Sequence, residues 1–533
     1  MDYVGLVFGA LGVILVSWLW NLLVYLTWRP YAITKRFREQ GIRGPSYKFW
    51  SGSLEEMRSM RKASEGVVLD IHSHDITPRI HTHFTKWKSQ YGGTFLYWLG
   101  PQPRICITDP EMVKQVLSNK FGFYTKPTMN PSLSALAGKG LVTSEGSDWA
   151  VRRRIINPAF TMDKLKMEDS KLDCKIIKQM QMMTKTMTEC VQSMIEGWQS
   201  QAFQDESQQN EVRVNREFQE LTADVIARTA FGSSYKEGRE VFLAQRGLQN
   251  LAEATLLNVH LPGFNYLPTS TNRQKWKLER KLNDKLLKIM QSRLDSKERG
   301  YGNDLLGLLM EAYTSDQSQK QEDKRMNMNE IIDECKTFFF AGHETTSHLL
   351  TWTTFLLGTN QEWQERLRGE VLRECGTKVP DADMLGKLKL VTMVLLETLR
   401  LYGPVSLLAR KAEKDMKLGS LKIPKGTEIS MPIALMHHDK EIWGADVNEF
   451  NPLRFENGIA RASKHPNALF SFSIGPRVCI GQNFAMMEAK VVIAMILQRF
   501  SFSVSPKYVH APANIITLQP KYGLPVIFSP LHV

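Results

Sequence analysis

Residues 470–490 read FSFSIGPRVCIGQNFAMMEAK, and the cysteine near their centre decides how the rest of the chain is read. Cys479 sits in a turn composition framed by Gly475, Pro476 and Gly481, and the apolar run after it reads as a helix. Glycine lets a backbone bend closely around a ligand atom. Backbone N–H groups at a helix start, with Arg477 beside them, favour a thiolate over a thiol. Taken alone, a cysteine in such a turn is as readily a buried core residue as a ligand.

Upstream, AGHETTSH (341–348) resembles the H-E-x-x-H helix of zinc peptidases, but the spacing is wrong. His343 and His348 are five residues apart, so on a regular helix they point roughly 140° away from each other. Two unrelated histidines are the expectation, not a zinc pair. The stretch lies within IIDECKTFFFAGHETTSHLLTWTTFLL (331–357), a long apolar run without proline that reads as a buried central helix. A glycine and adjacent threonines at its middle suggest a local widening beside something bound.

Composition narrows the class. The chain has 533 residues and six cysteines without paired close spacing, which argues for a reducing compartment over a disulfide framework. Its net charge of +13 suits anionic phospholipid or an acidic protein partner. Nucleic acid is the weaker expectation and is not among the expected partners, because no finger, RNP or helix-turn-helix pattern accompanies the charge. Residues 3–28 carry no charge and exceed the length of about 20 apolar residues that crosses a bilayer. Arg29, Lys35, Arg36, Arg38 and Arg43 follow it, so residues 1–28 read as a single-pass signal anchor with the body on the cytosolic side. The expected membrane is that of the endoplasmic reticulum. A basic linker with Gly41, Gly44 and Pro45 runs from 29 to 52, and one globular domain fills 53–533.

Within that domain, TFLYWLGPQPRICIT (94–108) predicts a hairpin, and helical periods dominate from about 109 to 415. LKIPKGTEISMPIALM (421–436), SFSVSP (501–506) and IITLQPKYGLPVIF (515–528) predict short strands. The polar stretches 199–212 and 313–329 predict exposed loops. The expected fold is mainly α with small β-sheets at its edge.

The stretch around Cys479 resembles the haem-binding loop of cytochromes P-450, F-x-x-G-x-R-x-C-x-G, with Phe472, Gly475, Arg477, Cys479 and Gly481 at its fixed positions. The other family motifs follow in order along the whole chain. ETLR supplies Glu397 and Arg400, and FNPLRF supplies Arg454 as the third member of a Glu-Arg-Arg cluster; Leu453 stands where an acidic residue is usual. WAVRR places Trp149 and Arg153 one turn apart, and the resemblance makes them, with Arg410 and Arg477, partners of the haem propionates. AGHETT matches the oxygen-binding groove, with Ala341 and Gly342 leaving room for dioxygen and with Glu344 and Thr345 as the acid–alcohol pair that delivers protons. In LMHHD the family often has Arg where His438 stands, which leaves a haem contact for His437 open.

The resemblance implies a haem-thiolate monooxygenase, with haem b as cofactor, Cys479 as axial iron ligand and O2 as co-substrate. The chain has no G-x-G-x-x-G fingerprint, so its electrons are expected from an NADPH-dependent reductase docking on a basic face. Membrane lipid and a small apolar substrate complete the expected partners. Within the family the chain resembles plant non-A-type enzymes of the seventy-two clan, closest to a grass group of in-chain, sub-terminal fatty-acid hydroxylases. The alternatives are hydroxylation of a plant hormone (cytokinin, gibberellin or brassinosteroid), a triterpenoid or a herbicide, or a reductase-independent hydroperoxide isomerase. Substrate-facing stretches by analogy are 125–140, the central helix near Phe340, 404–409 and 514–520.

Overall fold

The computed structural model describes residues 2–160, 170–202, 211–232, 235–255, 264–295, 301–302, 304–314 and 326–531. Most of the polar stretches 199–212 and 313–329 lie outside the described residues; of their ends, 199–202 and 313–314 close helices.

The body is mainly helical and is organised around the helix Met328–Thr359. Its start is a capping box: the Glu330 N–H donates to the Asn327 side chain at 3.0 Å, and the Asn327 N–H donates to the Glu330 carboxylate at 2.7 Å. Most of the helix is buried, threonines included. The hydroxyls of Thr345, Thr351 and Thr353 donate to carbonyls four residues back, which satisfies them inside an apolar layer. Trp352 stacks on Tyr402 at 4.4 Å and donates its ring N–H to the Leu518 carbonyl at 3.0 Å. That one side chain ties the central helix to the helix Lys389–Tyr402 and to the C-terminal strands. The helix after Cys479, Gln482–Leu497, is buried from Val491 onward and packs on the central helix.

The sheets lie at the edge, as expected. Strands Thr94–Leu99 and Gln102–Ile107 form the hairpin, with Thr94 opposite Ile107. The second strand pairs parallel to Glu428–Met431, which pairs antiparallel to Leu408–Ala412, and Tyr124–Thr125 closes this five-stranded sheet. The strand Pro525–Pro530 pairs with Phe500–Val504 and Glu211–Arg213. One segment departs from expectation: IALM, predicted as strand, is the start of a short helix, Ile433–His437. Pro432 lacks the N–H that would continue the sheet, and its ring fixes φ for a turn.

The N-terminal helix is the one described segment long and apolar enough to cross a membrane, and the body buries none of its apolar window. It does not stop at Trp28 but continues through a π turn, Val24–Trp28, into Arg29–Arg38. The cause is local. Pro30 has no N–H for the Leu26 carbonyl four residues back, and the Tyr47 hydroxyl donates to that carbonyl at 2.9 Å instead. The Gly/Pro link after it is docked, not free: the Leu96 N–H donates to Arg43 at 2.9 Å and the Ser53 N–H to Trp98 at 2.8 Å. A Cβ at Gly44 would lie 1.7 Å from the Leu96 carbonyl oxygen, so only glycine permits this approach.

Candidate active site

Cys479 follows a single 3-10 turn, Gly475–Arg477, and precedes the helix that begins at Gln482. Its N–H donates to the Phe472 carbonyl at 2.9 Å, which closes the loop. Gly475 has φ +75°, and a Cβ there would lie 2.5 Å from the Leu117 carbonyl oxygen. At Gly481 the opposite holds: a Cβ would meet nothing within 4 Å, so open space lies beside the cysteine. The thiol is exposed on one side and enclosed on the others. Burial pushes its pKa up, opposed by the Gly481 N–H and by the charge of Arg153. Arg153 reaches the loop directly, donating to the Val478 carbonyl at 3.0 Å.

Around this loop the structure gathers cations. Arg477 donates to the Ser144 carbonyl at 2.8 Å and to Glu145 at 2.5 Å, and its guanidinium lies 4.3 Å from the centre of the Trp149 ring. Arg410 is buried, and its only hydrogen bond among the described residues goes to its neighbour's carbonyl, Ala409, at 2.8 Å. Burial and then repulsion by Arg477 lower its pKa to about 10. Lys126 joins them: its ammonium donates to the Val142 carbonyl, and burial, Arg410 and Arg477 lower its pKa to about 7. The ammonium itself keeps solvent contact. Glu145 is the one carboxylate acting on both Arg410 and Arg477. The cluster therefore has unbalanced positive charge facing the cysteine loop.

On the central helix, Glu344 and Thr345 diverge. The Thr345 hydroxyl donates to the Ala341 carbonyl at 2.7 Å. Glu344 turns away and is buried, accepting from Gln249 at 2.6 Å and from Thr517 at 2.9 Å. His348 Nδ1 lies 3.8 Å from one carboxylate oxygen and His343 Nε2 lies 3.7 Å from the other. Burial alone pushes Glu344 up, but His348, His343, Thr517 and Gln249 together hold its pKa below the ordinary carboxylate value. The two histidines are thus not unrelated: one carboxylate stands between them. Among the described residues no group of three or more His, Cys, Asp and Glu side chains could hold a metal ion. Gly342 also gains a task that spacing did not reveal, since a Cβ there would lie 2.9 Å from Ile226. Its missing side chain admits the helix Val214–Phe231 against the central helix.

Below the loop, Glu397 and Arg400 form a fully buried bidentate pair at 2.7 Å on each arm. Arg400 also donates to the carbonyls of His437 at 2.9 Å and Val447 at 2.6 Å. Arg454 stands 3.7 Å from Glu397, and its shorter partner is Asp446 at 2.7 Å, an acid that the sequence reading passed over. His437 is spoken for: its Nε2 accepts the Phe470 N–H at 3.1 Å, which ties it to the stretch leading into the cysteine loop.

The family model described as Cytochrome P450 matches residues 66–525. The chain belongs to the cytochrome P450 family. Cytochrome P450 709B1 of Arabidopsis thaliana is 50% identical over 512 residues, covering 95% of each chain. Cytochrome P450 734A6 of Oryza sativa is 41% identical, over 96% of this chain and 93% of its own. Secologanin synthase 1 of Catharanthus roseus is 40% identical, over 97% of this chain and 96% of its own. This P450 is a monooxygenase of the family that uses haem b with O2 and electrons derived from NADPH.

Its residues fit that group on structural grounds. A half-open cysteine with free space beside it, and a cation cluster short of carboxylates, are what a dianionic metalloporphyrin completes. Trp149, Arg153, Arg410 and Arg477, singled out from the sequence, do converge here. Lys126, read from the sequence only as a charge in a substrate-facing stretch, was missed as a member of this cation cluster. Gln249 and Thr517 were missed as well, because their contacts with Glu344 join segments 95 and 173 residues away from it, while His348, one turn from Glu344, was weighed only as a zinc ligand.

Proposed function

We propose that Cys479 is the axial thiolate of the haem, with Arg153, Arg410, Arg477, Trp149 and Lys126 meeting its propionates. The single observation behind this is the surplus of buried positive charge at the cysteine loop, which a doubly anionic ligand balances. Bound haem supplies oxygen activation, in which one oxygen atom enters a C–H bond and the other leaves as water with two protons and two electrons. Glu344 is the buried carboxylate that, in its ionised form, relays protons for that step, oriented by Gln249 and Thr517. Thr345 presents the hydroxyl at the neighbouring turn. Glu397, Arg400 and Arg454 hold the segments that carry the loop. The electron donor in this reading is an NADPH-dependent cytochrome P450 reductase.

The substrate is an apolar molecule, and a medium- or long-chain fatty acid attacked in-chain or sub-terminally is the first choice. A cavity of about 840 Å³ supports it, within the range of small-molecule sites. It is bounded by three of the four stretches expected to face substrate, through Met129 and Leu133, Leu407, and Ile515. Its wall also holds Arg79, buried and donating to the carbonyls of Pro512 at 2.8 Å and Ser64 at 2.6 Å, near Glu65 but in no ion pair among the described residues. A fatty-acid carboxylate suits that cation. The second reading is a non-fatty apolar substrate, a plant hormone, triterpenoid or herbicide; the relative named secologanin synthase 1 favours it, since its name denotes a different product. In this reading the N-terminal helix anchors the enzyme in the endoplasmic reticulum membrane with its body in the cytosol.

The test is a substrate-induced haem spectral-shift screen in microsomes with reductase, using fatty acids, hormones and herbicides, followed by product mass analysis. Fatty acids giving both the shift and hydroxylated product support the first reading. A shift and product from another class alone replaces it, and product from a hydroperoxide without NADPH removes monooxygenation.

A further inference from the structure

The junction between the N-terminal helix and the body holds a cleft of about 460 Å³. One wall is a single helical ridge, Leu26, Pro30, Thr34 and Arg38, each four residues from the last. The facing wall is the docked link from Ile42 to Phe49, which runs back antiparallel to the helix. Its direction is set by two contacts: Arg43 is pinned to Leu96 at 2.9 Å, and the Tyr47 hydroxyl caps the Leu26 carbonyl at 2.9 Å. Arg38 and Arg43 therefore stand at one end of the cleft and Leu26 and Tyr47 at the other. The apolar end is the end nearer the membrane-crossing segment.

The charge of the cleft is one-sided. No Asp or Glu lines it, and Arg38 and Arg43 are both exposed, with no ion pair among the described residues. The helix Arg29–Arg38 itself carries four basic residues and no acid. An apolar end toward the bilayer and a cationic end away from it repeat the polarity of a lipid standing head outward.

We infer that this cleft binds one membrane glycerophospholipid with an anionic headgroup, its phosphate on Arg38 and Arg43 and an acyl chain running along Thr34 and Pro30 toward Tyr47. The inference rests on the reading of Leu6–Arg38 as a membrane-crossing helix. The Pro30 break and its Tyr47 cap then have a role beyond closing a helix: they join the two walls at the apolar end of the cleft. Such a lipid fixes the angle between anchor and body, and so the height of the body above the bilayer.

The experiment uses the full-length, haem-loaded chain in phosphatidylcholine nanodiscs doped with diazirine-labelled phosphatidylinositol or, separately, diazirine-labelled phosphatidylcholine. Adducts are mapped by peptide mass analysis, with the carbon-monoxide spectrum confirming that each variant is folded. The phosphatidylinositol probe is expected on the peptide holding Tyr47, and the double variant Arg38→Gln/Arg43→Gln is expected to cut that labelling about tenfold. Labelling within Leu6–Trp20 stays constant and reports the membrane reading separately. Equal labelling of the cleft by both probes, labelling untouched by the double variant, or label confined to Leu6–Trp20 overturns the lipid site. Absence of label from Leu6–Trp20 overturns the membrane-crossing reading, and the lipid site with it.

Discussion

Arg410→Met separates a cation kept for an anionic ligand from a cation kept for the fold. Arg410 is buried, is repelled by Arg477 and has a pKa lowered from the ordinary guanidinium value to about 10. For a basic group the sign is clear: a folded pKa below the unfolded one is a cost, fully present below the folded pKa and relieved as pH rises above about 10 toward the ordinary guanidinium value. At neutral pH that cost is constant, about 3 kcal/mol. Methionine keeps the length and apolar packing of the stem, so the haem-free variant is expected to be more stable than the wild type. Lost contact with the Ala409 carbonyl offsets about 1 kcal/mol, leaving a gain of about 2 kcal/mol. In the haem-bound protein the same change removes charge-assisted hydrogen bonds of about 1.5–3 kcal/mol, so haem affinity falls by tenfold or more. The assay is urea unfolding of the haem-free chain beside haem titration of both proteins at pH 7. The expected outcome is opposite signs: a higher urea midpoint and weaker haem. A destabilised haem-free variant with unchanged haem affinity refutes the reasoning, for it makes Arg410 an ordinary structural residue.

Other consequences are simpler to read. Glu344→Gln and Thr345→Ala should each lower product formation by about a hundredfold or more while raising peroxide per NADPH consumed; unchanged turnover in both removes the proton-delivery assignment. Glu397→Ala leaves Arg400 buried without its carboxylate, a loss of about 3–5 kcal/mol, and should yield little haem-loaded protein, as judged by the ratio of haem absorbance to protein. Because His348 helps hold Glu344 below its ordinary pKa, His348→Leu should move the acid limb of the pH–rate profile toward higher pH, with an unmoved limb as the contrary result.

Much of this was legible in the chain because it is local. The cysteine loop, Trp149 with Arg153 and Glu397 with Arg400 each fall within about one to three turns of backbone, so short motifs that resemble the family's pick them out. The hairpin at 94–108 was legible for the same reason, through its alternating pattern and Gly-Pro turn. What escaped depends on long-range packing. Lys126 joins the cation cluster only because Arg410 and Arg477 arrive from distant segments. Asp446 replaces the expected acid at 453 across a loop, and Leu453 faces solvent instead. The 140° between His343 and His348 was correct for the helix, yet Glu344 lies within reach of both because a carboxylate has two oxygens. Nothing in the pattern of residues 29–52 announced that the link folds back against the helix; that needed the bond from Tyr47 to the carbonyl freed by Pro30.

The most direct measurement is the absorbance of the reduced, carbon-monoxide-bound protein, made with the full-length chain and with Cys479→Ser. The wild type should show the strongly red-shifted Soret band from which the family takes its name, and the serine variant should lose it while still binding haem between the same cations. A serine variant that keeps the band, or a wild type that never shows it, contradicts the assignment of sulfur 479 to iron.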